Sequence, residues 1–144
     1  MRPGHLIQKI RKILVPLDGS KNSLRGLKFA VNLAKQSGSS VIGLHVSSLP
    51  FFLKTPAIVV QKNKKSKKII SQATILSQKE KIPFKAEIKQ SDNIGRTIVS
   101  FAETSKIDLI VIGSRGPDPV LELFLGSVAN YVLNKSKIPV TIIK

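Results

Sequence analysis

Gly113-Ser114-Arg115-Gly116, nine further residues, and then Gly126-Ser127 make up the spacing in this chain best suited to chemistry. The continuous apolar run Leu109-Ile110-Val111-Ile112 precedes it, and a helical pattern follows. A buried strand therefore ends in a glycine-rich loop, and that loop ends where a helix starts. Without a Cβ, glycine lets backbone N–H groups approach an anion closely. The first turn of the next helix adds unpaired N–H donors and the positive end of its dipole. These are the parts of a site for the phosphates of a nucleotide.

A second polar turn, Pro16-Leu17-Asp18-Gly19, follows the apolar run Ile13-Leu14-Val15. Asp18 reads either as a contact for ribose or metal, or as a turn residue, since Asp-Gly-Ser ahead of a helix is good turn and cap chemistry. Ser127 reads as a phosphate contact or as a helix cap, and both uses share one geometry. Arg115 reads as a phosphate clamp or as a solvated loop charge. His45 sits inside an apolar strand with no second histidine near it in sequence, which favours a structural role. There is no Walker A lysine motif, no Gly-x-Ser-x-Gly elbow and no His/Asp/Glu metal cluster, so strong catalysis is not expected.

The elements that must position these residues alternate along the chain. Ile13 to Pro16 predicts a strand, and Ser20 to Gln36 a helix with Leu24, Leu27, Val31 and Ala34 at helical spacing, capped by Ser20 and stopped by Gly38. Val41 to Val46 predicts the second strand, followed by a loop that carries Pro50, Phe51, Phe52 and Pro56. A helix is expected from about Ala57 to Lys81; its first half, with Lys62, Lys64, Lys65, Lys67 and Lys68, shows no apolar stripe and is expected to face solvent. Phe84, Ala86 and Ile88 alternate with charged residues, as in an edge strand. Ser91 or Asp92 is expected to cap the helix bearing Ile94, Ile98, Phe101 and Ala102. Leu109 to Ile112 reads as a central strand, Leu125, Val128 and Val132 mark the last helix, and Val140 to Ile143 the last strand. This alternation predicts an α/β fold: a single doubly wound, five-stranded parallel sheet of order 3-2-1-4-5 with helices on both faces. Its switch point lies between the first and fourth strands, where the two polar turns meet.

Composition narrows the class. The length of 144 residues suits one domain, with residues 1–11 as an N-terminal extension and 12–144 as the domain. No run is long and apolar enough to span a bilayer, and Ile13-Leu14-Val15 before Pro16 is too short for a signal-peptide core. Cysteine is absent, which excludes disulfides and Cys-based metal sites and fits a cytoplasmic protein. Twenty-four Lys+Arg against 8 Asp+Glu give a net charge of +16, a field that attracts nucleotides, nucleic acid or an anionic surface without choosing among them. The lysine run lacks interleaved aromatics, so nucleic acid binding has no motif behind it.

The chain resembles the ATP-binding branch of the universal stress protein family. The resemblance runs through Ile13-Leu14-Val15-Pro16-Leu17-Asp18-Gly19-Ser20, Leu44-His45-Val46 and Ile138-Pro139-Val140-Thr141-Ile142-Ile143. Its decisive part is G-x2-G-x9-G-[ST], met by Gly113, Gly116, Gly126 and Ser127. The resemblance implies an adenine nucleotide alpha hydrolase-like fold. It also implies that Pro16, Leu17 and Asp18 line a nucleoside pocket and that the Val46 backbone meets adenine. Gly113 would lie against ribose and phosphates, with Arg115 and Gly116 bordering the phosphate chain. Gly126, Ser127 and Val128 would hold phosphate oxygens. Mg²⁺ or Mn²⁺ would ride on the phosphates, near Asp18 or Asp118. A homodimer through the last strand, Val140 to Ile143, is implied as well.

One departure from the family it resembles concerns the loop between Gly116 and Gly126, which carries Asp118 and Glu122 where many members have basic or neutral polar residues. Carboxylates repel a triphosphate unless a cation bridges them, so Asp118 reads either as a metal-side residue or as one that weakens ATP binding. The expected function is an ATP-binding, nucleotide-dependent stress or signalling regulator. The alternative is a basic polyanion-binding stress protein whose nucleotide site is vestigial.

Overall fold

The computed structural model describes residues 9–48, 54–115 and 125–144. The chain alternates β1 (Lys12–Pro16), α1 (Lys21–Ser37), β2 (Ser40–Ser47), α2 (Pro56–Lys79), β3 (Phe84–Gln90), α3 (Ile94–Thr104), β4 (Leu109–Gly113), α4 (Ser127–Lys135) and β5 (Val140–Ile143). The strands form one parallel sheet of order β3-β2-β1-β4-β5, as the alternation predicts. Side chains alternate between the faces of a strand, so β1 feeds two cores. Ile13 and Val15 pack with Leu27, Ala30, Val31 and Ala34 of α1 and with Ile69 and Ala73 of α2. Leu14 packs on the other face with Ile98, Phe101 and Ala102 of α3 and with Ala129 and Val132 of α4. β3 forms one edge, and Ile88 there is 46% exposed, in keeping with its alternating sequence.

Local chemistry sets the helix ends. Ser20 accepts the Ser23 N–H through its hydroxyl at 3.1 Å, and Gly38 ends α1 at φ 71°. α2 starts one residue earlier than expected, at Pro56, because Thr55 caps it and proline is favoured at a first helical position. The cap of α3 is Asn93, not Ser91 or Asp92: its Oδ1 accepts the Arg96 N–H at 2.9 Å. Ser91 acts one step upstream, accepting the Asn93 N–H at 3.1 Å. Three capping residue types stand in a row here, and the backbone selects the last.

The seam between β1 and β4 behaves differently at its two ends. At the amino end, Asp108 ties the strands together. Its Oδ2 accepts the N–H of Arg11 at 2.9 Å and of Lys12 at 3.0 Å, and its own N–H donates to the Lys12 carbonyl at 2.9 Å. The ladder then pairs Ile13 with Leu109 and Leu14 with Ile110. Toward the carboxyl end each strand turns to its outer neighbour: Leu17 N–H donates to Leu44 at 2.8 Å, and Ser114 N–H to Ile143 at 2.7 Å. The two central strands part, and a crevice opens between them.

On the far face, α3 and α4 meet at Gly95. A Cβ there would lie 2.7 Å from Cδ1 of Tyr131, closer than side chains tolerate. Gly95→Ala is expected to destabilise the fold by about 1–3 kcal/mol through overpacking. In urea unfolding, Gly95→Ala combined with Tyr131→Ala should lose less than the sum of the two single changes; simple additivity would show that the contact does not limit the packing.

Candidate functional site

The crevice is a cleft of about 410 Å³ at the carboxyl ends of β1, β2 and β4. Of the residues singled out in the sequence, Pro16, Leu17, Asp18, Val46, Gly113, Arg115, Gly126, Ser127 and Val128 all line it. Gly116, Asp118 and Glu122 lie outside the described residues, as do Phe51 and Phe52.

Asp18 does both things its sequence context suggests. Its Oδ1 accepts the Ser20 N–H at 2.8 Å, which shapes the turn into α1, and its side chain still borders the cleft. His45 is buried, and its Nδ1 lies 2.6 Å from the Leu17 carbonyl. A carbonyl only accepts, so Nδ1 carries the hydrogen. The bond ties the end of β2 to the turn after β1, as a structural histidine should, while the ring also faces the cleft.

Gly113 has a reason for its missing side chain that the sequence hides. A Cβ at this position would come within 3.0 Å of the Asn22 carbonyl carbon. The glycine therefore lets the first turn of α1 close on the end of β4. Asn22 is buried there and donates through Nδ2 to the Ser114 hydroxyl at 3.2 Å. The Ser114 carbonyl in turn accepts the Gly126 N–H at 2.7 Å. One residue after β4 thus fixes the residue that begins α4.

Gly126, rather than Ser127, occupies the N-cap of α4, and Ser127 is the first helical residue. The caps of α1, α2 and α3 each accept a first-turn N–H through a side chain. Gly126 has no side chain to offer, and the first helical bond is Asn130 N–H to the Gly126 carbonyl at 2.8 Å. The N–H groups of Ser127, Val128 and Ala129 therefore precede that bond without a side-chain cap, and all three residues border the cleft. An uncapped first turn with its positive dipole end suits an anionic group.

Sequence reasoning missed part of the lining. Ile94, Ile98, Ile112 and Ala129 add an apolar wall beside Val46 and Val128, although the sequence pattern marks the first two only as core-facing positions of a helix. Lys62 and Lys65 of α2 also line the cleft; Lys65 is exposed as expected, while Lys62 is half-buried, which corrects the expectation that the whole lysine run faces solvent. The described lining holds three cations, Arg115, Lys62 and Lys65, and one carboxylate, Asp18. One carboxylate beside a polyphosphate suits Mg²⁺, which is commonly held by one or two carboxylates together with substrate phosphates. Among the described residues no three His, Cys, Asp or Glu side chains converge as a cage for a metal.

Residues 9–144 match the sequence profile of the Universal stress protein family. The chain belongs to that family. It is similar to Universal stress protein MJ0531 of Methanocaldococcus jannaschii, with 31% identity over 93% of this chain and 82% of that protein. Its fold is similar to that of MJ0577 of the same organism, with TM-score 0.84 and 26% identity over 95% of this chain and 97% of that one. It is also similar to the universal stress protein from Archaeoglobus fulgidus solved in complex with dAMP, with TM-score 0.70 and 27% identity over 95% of this chain and all of that one. No helix among the described residues is long and apolar enough to cross a membrane.

The Asn22–Ser114 link gives a direct test of how this universal stress protein holds its site. Asn22→Leu leaves the buried Ser114 hydroxyl without its donor and should cost about 1–3 kcal/mol in urea unfolding. Adding Ser114→Ala should return part of that loss; no recovery would mean that Asn22 acts through packing alone.

Proposed function

We propose that the cleft binds an adenine nucleotide, ATP with Mg²⁺ or Mn²⁺, and that the chain works as a nucleotide-dependent stress regulator through binding rather than strong catalysis. The observation that carries this reading is the uncapped first turn of α4, fixed by Ser114 at the mouth of a cleft that Asp18 and the end of β2 share. The apolar wall of Val46, Ile94, Ile98 and Ile112 suits a flat base, and the N–H groups of Ser127 and Val128 with Arg115 suit phosphate oxygens. The dAMP held by the Archaeoglobus fulgidus relative supports the choice of an adenine nucleotide. Asp18 is the side chain in the described lining that would meet a phosphate-borne ion. The cation would neutralise charge on the phosphates.

Calorimetric titration with MgATP, at salt high enough to screen the net charge, tests the reading. Saturable binding near one per chain is expected. Gly126 has φ −61°, which any L residue adopts, so Gly126→Val should keep the fold while crowding the α4 N–H groups. A loss of at least about tenfold in MgATP affinity with unchanged circular dichroism is expected. Unaltered affinity would remove α4 from the site.

A second reading, binding of nucleic acid or another polyanion, draws on the exposed Lys64, Lys67 and Lys68. It predicts binding that weakens steeply with salt and survives Gly126→Val.

The same proposal includes a homodimer through β5. This strand ends the sheet opposite β3, and all four of its residues remain partly exposed. Pairing would protect such an edge. Sedimentation should give twice the chain mass at micromolar concentration; a monomer there would refute the dimer.

A further inference from the structure

The buried face of α2 is the stripe Ser66, Ile69, Ala73 and Ser77, which packs toward the sheet. Helical geometry of 3.6 residues per turn continues that stripe backward to Lys62, one turn before Ser66, with Lys65 beside it. α2 runs antiparallel to the strands, so these two positions lie past the point where the strands end. There the stripe meets the cleft instead of the core: Lys62 is half-buried against it, and Lys65 borders it while staying exposed. Lys64, Lys67 and Lys68 fall on the opposite side of the helix and are exposed outside the cleft. The lysine run is therefore two faces, and one of them belongs to the site.

The position of this wall decides what it can hold. α2 packs on the face of the sheet that carries α1, while α4 packs on the other face with α3. α2 rises beside β2 and β3, and α4 beside β5. The two lysines and the uncapped turn of α4 thus come to the cleft from opposite faces of the sheet, and the apolar wall of Val46, Ile94, Ile98 and Ile112 lies on the α4 side. A single phosphate seated on α4 meets one side of the cleft, and on the other side Asp18 is the one carboxylate of the described lining to set against the two lysines. A ligand with a second anionic group satisfies both.

We infer that Lys62 and Lys65 are ligand-binding residues that make the site select a nucleoside polyphosphate over the monophosphate. The inference rests on the nucleotide-binding reading above. Each lysine acts as a mobile point charge on a long stem, suited to a flexible phosphate chain more than to a fixed bidentate contact.

Calorimetry with AMP and MgATP, each against three proteins, tests it. Lys62→Met with Lys65→Met keeps stem length and helix propensity while removing the cleft-facing charges. Lys64→Met with Lys67→Met removes the same charge from the outer face. The unaltered chain should bind MgATP more tightly than AMP. The cleft-facing pair of changes should cut MgATP affinity by roughly five- to tenfold and AMP affinity by less than about twofold. The outer pair should change neither by more than about twofold. An equal loss from the outer pair, an equal loss for AMP and MgATP, or no loss from the cleft-facing pair would each overturn the assignment. Binding of neither nucleotide to the unaltered chain would overturn the nucleotide reading itself, and the selectivity with it.

Discussion

The parting of β1 from β4 is the constraint on which the rest of the structure depends. In this doubly wound sheet, the connection that leaves β1 packs on one face and the connection that leaves β4 on the other. Asp108 binds the two strands at their amino ends, and beyond Leu14 and Ile110 the continuing ladder pairs are those with β2 and β5. A wedge-shaped opening follows, and the backbone just beyond it is held at the flanks by the Leu17 and Ser114 N–H groups. The cleft is what the topology leaves open.

Around that opening the polar contacts form one connected frame. Asn22 holds Ser114, Ser114 holds Gly126, and Gly126 begins α4. His45 ties β2 to the Leu17 carbonyl, and Asp18 turns the chain into α1. The ends of β1, β2 and β4 are thereby linked, β2 to β1 through the His45–Leu17 bond and α1 to β4 through the Asn22–Ser114 bond between side chains. A site assembled in this way is preorganised: the donors at α4 stand ready without a rearrangement of the scaffold.

Much of the fold is legible in the sequence because its signals are local. Ser20 and Gly38 bound α1 by cap chemistry alone, and the continuous run Leu109 to Ile112 could belong only to an inner strand. The site residues on strand ends were legible for the same reason, since topology places strand ends. What escaped were effects of distance. Gly113 looks like a glycine that admits an anion, yet its neighbour is Asn22, far back in the chain. Lys62 and Lys65 look like solvated charges because a helix stripe is read against a core, and nothing local says where the sheet beneath it stops. Asn93 could not be told from Ser91 and Asp92 because all three are good caps.

The bond from the Gly126 N–H to the Ser114 carbonyl has a consequence for how this family can vary. It fastens the two ends of the intervening segment to one another, so any change of length there meets a fixed pair of anchors. Lengthening a loop between fixed ends costs little, about 0.6 kcal/mol for each doubling. Ser114 and Gly126 thus hold β4 and α4 together through their own backbones, independently of the side chains between them.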